Sequence, residues 1–209
     1  MLRLDHFRGL AGYWRVNGKS KTASCGKWIN SPGKTILSKL KNDLGTGYLP
    51  IIAEDLGVIT PDVEKLRKSF ELPGMKILQF AFDGNENNPY LPKNIEGENW
   101  VVYTGTHDNS TSISWWRSLD SSLKKRIKDE YKFSDNPSWS LIKIGMETNA
   151  NLFIAPIQDI LSLDDSSRLN IPGTKENNWK WKLNRPLEEI EDSIRIFSEV
   201  GNNYGRKRE

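Results

Sequence analysis

The chain has 209 residues and a mass of 23.9 kDa, long enough to bury a core and short enough for one domain or two small ones. With 36% hydrophobic and 27% charged residues and no low-complexity tract, its composition excludes a disordered or collagen-like chain. Thirty basic against 27 acidic side chains leave a net charge of +3, too small an excess to call for nucleic acid or an anionic membrane as a partner.

Residues 1–5 (MLRLD) read as the end of a strand, with Arg3 and Asp5 two apart and therefore on one face. The stretch MLRLDHFRG carries charges where a signal peptide would be apolar, and no run approaches the roughly 18 apolar residues of a membrane span. Cys25 is the only cysteine; it has no disulfide partner within the chain, which fits a reducing, cytoplasmic setting. The only histidines are His6 and His107, far apart in sequence, so a zinc site is disfavoured and neither metal nor cofactor is expected.

A helix is expected over 35–44, followed by a buried strand over 48–53 that ends in the polar turn Glu54, Asp55, Gly57. The next helix, 61–70, opens with Thr60 at the N-cap, Pro61 at the first position, and Asp62 and Glu64 in the first turn. Two further apolar runs, 74–82 and 100–104, are strand-like and also end in polar turns containing glycine. Helices are expected over 110–119, 122–131, 137–150 and 186–197, the last with an apolar stripe of Leu187, Ile190, Ile194 and Phe197. Between the last two lies a turn-rich stretch, 170–183. Residues 1–201 are expected to form the folded part and 202–209 a flexible polar tail.

Strands apolar on both faces, alternating with helices, predict an α/β fold of βαβ units around a parallel sheet. Three acids follow strand-like runs: Asp5, Glu54 and Asp108. The carboxyl ends of parallel strands share one rim, so acids this far apart in sequence can serve one site. Paired carboxylates in unlike surroundings divide their roles, one ionised as nucleophile and one protonated as general acid, as glycosidic bond cleavage requires. Arg3 beside Asp5 favours a charged nucleophile. Glu54 leaves an apolar run, where desolvation favours a neutral acid. Asp108, between His107 and Asn109, sits among groups suited to sugar hydroxyls. Each also fits a bland role: R-x-D as a structural ion pair, Glu-Asp-Leu-Gly as a turn, His-Asp as a cap or Asx-turn. Tyr13, Trp14, Trp28, Tyr90, Trp115 and Trp116 are candidates either for a sugar-binding rim or for the core.

The order and wording of these segments break the tie. RLDHFRG (3–9), IIAEDLGVITPDVEKLR (51–67), LPGMKILQFAFDG (72–84), NPYLP (88–92), VVYTGTHDNST (101–111), SWW (114–116), NIPGT (170–174) and NWKW (178–181) together resemble the amylomaltase family. These are 4-α-glucanotransferases, also called disproportionating enzymes, within the α-amylase clan of retaining (β/α)8 barrels. The resemblance implies that Asp5 is the nucleophile, Glu54 the acid/base and Asp108 the transition-state stabiliser. It also implies that Arg3 orients Asp5 and that His6 and His107 contact the sugar. The implied reaction is a double displacement on α-1,4-glucans, with a second glucan hydroxyl rather than water collecting the glycosyl group.

In this family the nucleophile closes the fourth barrel strand. The expected fold is therefore a partial (β/α)8 TIM barrel, its C-terminal half from the end of strand 4 through strand 8, with extra helices. A half barrel exposes a strand edge and an apolar stripe; at about 25 cal/mol per Å², a few hundred Å² forfeits on the order of 10 kcal/mol. The expectation is thus a glucanotransferase fragment of compromised activity and stability. The alternatives are a non-catalytic glucan-binding or assembly module that needs a separate N-terminal half, and a metal-dependent hydrolase using His6, His107 and carboxylates.

Overall fold

In the computed structural model, residues 1–206 are described. They fall into two contact units: residues 1–75 with 99–101, and residues 76–98 with the chain from 102 onward.

In the first unit, β1 (Leu2–Leu4) leads through a single turn, α1 (Arg8–Ala11), into an antiparallel hairpin of β2 (Gly12–Arg15) and β3 (Lys27–Asn30). Then come α2 (Gly33–Leu44), β4 (Ile51–Ala53) and α3 (Pro61–Ser69). β1 and β4 pair in parallel, with Leu2 opposite Ile51, Arg3 opposite Ile52 and Leu4 opposite Ala53. All three β4 residues are buried, as the continuous apolar run requires of a strand covered on both faces. Phe7, Leu37, Leu49, Ile51, Ala53, Val63 and Leu72 form the core of this unit. The helix α2 ends where Gly45 takes a left-handed φ of 64° and donates its N–H to the Lys41 and Asn42 carbonyls, a conformation that glycine enters without a Cβ penalty.

Thr60 occupies the N-cap of α3 as expected, but its side chain does not cap the helix. Its hydroxyl accepts a hydrogen bond from Arg8 instead, at 3.1 Å. Thr60 also holds the Asp62 carboxyl below the usual carboxylate range. Strand character over 48–53 survives only at 51–53; Tyr48 is exposed, and Pro50 has no N–H to give a ladder. Periodicity carries no signal for the hairpin, because its strands are short and mostly exposed.

The strands β5 (Gly74–Ile77), β6 (Trp100–Tyr103) and β7 (Leu152–Ile154) form a sheet of order β5-β6-β7. Around them lie α4 (Ser112–Ser118), α5 (Ser121–Tyr131), α6 (Pro137–Glu147), α7 (Ile157–Ile160) and α8 (Glu191–Asn203). The caps are local chemistry: Thr111, Asp120 and Asn136 each accept a hydrogen bond from a first-turn N–H of α4, α5 and α6 respectively, satisfying donors the helix leaves open.

The run 74–82, read as one strand, stops at Ile77 and turns into a 3₁₀ segment, Leu78–Phe80. The cause is its one uncharged polar residue. Buried Gln79 donates its side-chain amide to the Ser110 carbonyl at 2.9 Å and its N–H to the Thr104 carbonyl at 3.2 Å. Helix α8 starts later than the stripe predicted, after a 3₁₀ turn at Leu187–Glu189. Ile190 is buried and Phe197 packs on the core of Ile142, Met146 and Ile160, while Ile194 is exposed.

Of the expected polar tail, 202–209, the residues up to 206 are described. Asn202 and Asn203 close α8, and the Arg206 guanidinium donates to the carbonyls of Met146, Thr148 and Ala150 at 2.6–2.8 Å. A guanidinium at the end of α6 satisfies carbonyls that have no partner within the helix. The last three residues of the expected tail lie outside the described residues. No helix among the described residues is long and apolar enough to cross a membrane.

Candidate active site

Parallel, in-register pairing of β1 and β4 puts their following residues, Asp5 and Glu54, at the carboxyl ends of neighbouring strands. The turn after each strand is tied to the other: the Glu54 N–H donates to the Leu4 carbonyl at 3.0 Å, and the Phe7 N–H to the Glu54 carbonyl at 3.1 Å. The Glu54 carboxylate is held at both oxygens. Oε2 accepts the His6 N–H at 2.7 Å and Oε1 the Leu56 N–H at 3.0 Å. His6 makes its bond from a left-handed backbone, φ 49°, an uncommon conformation for a residue with a Cβ. Arg3 donates to Asp5 Oδ1 at 2.7 Å, with the Asp5 side chain 78% exposed. Arg3, Asp5, His6 and Glu54 are thus brought together, and the expected desolvated acid is instead a half-buried carboxyl gripped by two amides.

Next to Glu54, a feature that sequence reading missed anchors the turn. The Asp55 carboxylate accepts the Met75 N–H at 2.7 Å and pairs with Arg67 at 3.1 Å, both side chains over nine-tenths buried. Arg67 also donates to the Leu72 carbonyl at 2.8 Å and lies over the Trp100 ring, 4.4 Å from its centroid. The only sequence sign of this was an acid directly following Glu54.

In the second unit, His107 and Asp108 sit in the loop after β6. His107 Nε2 lies 3.3 Å from Asp108 Oδ1, and the Asn170 side-chain amide donates to the same oxygen at 2.6 Å. Arg168 donates to the Asp108 carbonyl at 2.6 Å and to Ser110 Oγ at 3.0 Å. The sequence marks Asn170 only within the string NIPGT and carries no signal for Arg168. Behind the loop is a small cavity of about 50 Å³. The Asp159 carboxyl on its wall is buried and accepts hydrogen bonds from the Thr104 hydroxyl and from the Ser112 N–H and hydroxyl. Burial pushes the Asp159 carboxyl above the usual range, against the lowering by those bonds.

The aromatic candidates divide. Trp115 and Trp116 are half-buried and pack in a ring cluster with Phe82 and Phe133. Tyr90 is half-buried with its ring against Phe80. Tyr13, Trp14 and Trp28 are exposed on the hairpin. Among the described residues no three His, Cys, Asp or Glu side chains are grouped to hold a metal ion.

A family profile described as 4-alpha-glucanotransferase, glycoside hydrolase family 77, matches residues 1–188. The chain belongs to the 4-alpha-glucanotransferase family. It is similar to the 4-alpha-glucanotransferase of Synechocystis, 46% identical over 184 residues that make up 87% of this chain and 36% of the relative. It is also similar to the chloroplastic/amyloplastic 4-alpha-glucanotransferase of Arabidopsis thaliana, 43% identical over 98% of this chain and 36% of the relative. Amylomaltase from Streptococcus agalactiae, solved in complex with acarbose, superposes with a TM-score of 0.89 at 33% identity, over 99% of this chain and 41% of that one. The α/β fold is similar to that of the matched part of this amylomaltase. The chain spans a little over a third of the length of the curated relatives it matches.

Proposed function

We propose that this chain carries the reacting carboxylates of a 4-alpha-glucanotransferase and occupies the C-terminal half of a (β/α)8 barrel. The observation that carries this reading is the coupling of Asp5 and Glu54 at the ends of two hydrogen-bonded parallel strands, in a chain whose relatives are 4-alpha-glucanotransferases.

An Asp5 carboxylate oxygen forms a bond to the anomeric carbon of an α-1,4-glucan. The bond from that carbon to the leaving O4 breaks, and Glu54 delivers its proton to O4. In the second step an acceptor glucan's 4-hydroxyl gives its proton to Glu54 and attacks the anomeric carbon, releasing Asp5 and restoring the α linkage. Arg3, donating to Asp5 Oδ1, holds the nucleophile in position. Asp108 is assigned to transition-state stabilisation, with His6 and His107 contacting the sugar. The division of Arg3 to one acid and two amides to the other supports unlike roles for Asp5 and Glu54. A cytoplasmic setting belongs to the same proposal, in keeping with the free, exposed Cys25.

The test is disproportionation of maltotriose, read as released glucose together with longer maltodextrins. Wild-type protein is expected to produce both and Asp5→Asn neither; equal product from the two would remove Asp5 from the mechanism. A second reading is favoured by the chain's coverage of 36% of its relatives. In it, the remaining substrate contacts come from an N-terminal barrel half, and activity appears only when that half is supplied. Mixing the halves and assaying the same products separates the two readings.

A further inference from the structure

The mechanism above leaves the NWKW segment without a task, yet this segment is built onto the His107–Asp108 loop. The Asn170 N–H donates to the His107 carbonyl at 3.2 Å, and the Trp179 N–H donates to the Leu169 carbonyl at 2.6 Å. Asn178 cross-links the intervening turn, its Oδ1 accepting the Ile171 N–H at 3.0 Å and its amide donating to the Thr174 carbonyl at 3.1 Å. The outcome of this bracing is unusual. Trp179 is held at φ 61° and Asn177 at φ 62°, and a bulky side chain in the left-handed region is a strained choice at a position where glycine would serve.

The indole so placed is not core. It is 62% exposed, and it lies against the His107 ring, at a centroid separation of 5.1 Å and a tilt of 38°. His107 in turn contacts Asp108. A flat apolar surface therefore stands open beside an imidazole, a carboxylate and an amide. That is a hydrophobic wall with a few convergent polar groups, the usual construction of a small-molecule subsite. Its complement is a ligand with a C–H face and a hydroxylated edge, which describes a pyranose.

We infer that Trp179 is a substrate-binding residue whose indole stacks on a glucose unit of the glucan while that unit's hydroxyls reach His107 and Asp108. The inference rests on the proposed glucanotransferase function and adds to it a subsite wall that is not itself one of the carboxylates.

The test compares wild type with Trp179→Gly and Trp179→Phe in the full-length protein. Three quantities are measured: KM and kcat for maltotriose disproportionation, quenching of intrinsic fluorescence by titrated maltotriose, and the thermal midpoint. Trp179→Gly relieves the backbone strain, so its midpoint is expected to hold or rise while KM climbs about tenfold or more, a factor of ten being 1.4 kcal/mol of lost binding. Trp179→Phe keeps a stacking face and is expected to recover most of the affinity. The chain has eight tryptophans, so the fluorescence change that disappears in Trp179→Phe is the one assigned to this position. An unchanged KM and an unchanged sugar titration in Trp179→Gly, with wild type active, would overturn the subsite and leave the proposed function standing. If wild type binds maltotriose without turning it over, the titration still decides the subsite. A wild type that neither turns over nor binds maltotriose overturns both.

Discussion

Two backbone amides decide where the Glu54 carboxyl points, and each oxygen has a fixed donor before any sugar arrives. Replacing Glu54 with Gln keeps one acceptor oxygen and removes the exchangeable acid. The expected result is a fall in kcat of about 10²–10⁴-fold, as for the loss of a general acid, with a stability loss near 1 kcal/mol for the amide left unpaired. Glucose release from maltotriose and urea unfolding measure the two effects separately. Gly74 is a second single-residue constraint. A Cβ there would run into the Asp55 carboxylate and the Trp100 ring, neither the free end of a flexible chain. Gly74→Ala is expected to cost about 1–3 kcal/mol by overpacking, read as a lowered thermal midpoint. The strand pattern made Asp5 and Glu54 legible in the sequence as acids at strand ends. The need for Gly at 74 was not legible, because the atoms it would strike belong to residues 19 and 26 positions away (74 − 55 and 100 − 74).

Between elements, the buried Asp55–Arg67 pair joins the turn after β4 to α3 and to the start of β5. Its neighbours complete it: a Met75 N–H on the acid, a Leu72 carbonyl and the Trp100 face on the base. Removing one partner leaves a buried charge uncompensated, so Arg67→Met is expected to destabilise by about 3–5 kcal/mol. Combining it with Asp55→Asn should cost less than the sum of the two single changes, since the second removes the orphaned charge. Chemical denaturation of the four proteins in the cycle gives the coupling directly; strict additivity would show that the pair is not a unit. Because the same turn carries Glu54, Arg67→Met should also lower kcat. At this scale the helices α3, α5 and α6 were legible in the sequence, since signals such as Pro61 and caps such as Asp120 and Asn136 act within one turn of themselves. Sequence reading overran the strand at 74–82 because Gln79 finds its partners 31 and 25 residues away (110 − 79 and 104 − 79).

At the scale of the molecule, each unit has its own apolar cluster; the first buries the Asp55–Arg67 pair and the second the Asp159 carboxyl. Asp159 is 1% exposed and its carboxyl is raised above the ordinary value of 3.8, chiefly by burial. As pH climbs past that value, the unfolded chain gives up the proton while the folded chain keeps it. Stability therefore declines with rising pH until the raised native value is passed, then levels off. Asp159→Asn should flatten that part of the profile. Urea midpoints taken at intervals from pH 4 to 7 test this, and an identical slope in the variant would assign the pH dependence to other groups.

By itself the sequence determined the alternation of strands and helices, the placement of acids at strand ends, most helix starts and the family. These depend on residue type over a few positions and on recurring strings. Only the tertiary structure decided that Glu54 is gripped by the backbone of His6, that Arg67 neutralises Asp55, that Asn170 binds Asp108, and that Trp179 stands exposed against His107. The Asn170–Asp108 bond spans 62 residues and the His6–Glu54 bond 48. Hydrophobic periodicity records which face a side chain takes, while its partner is chosen by where the chain returns.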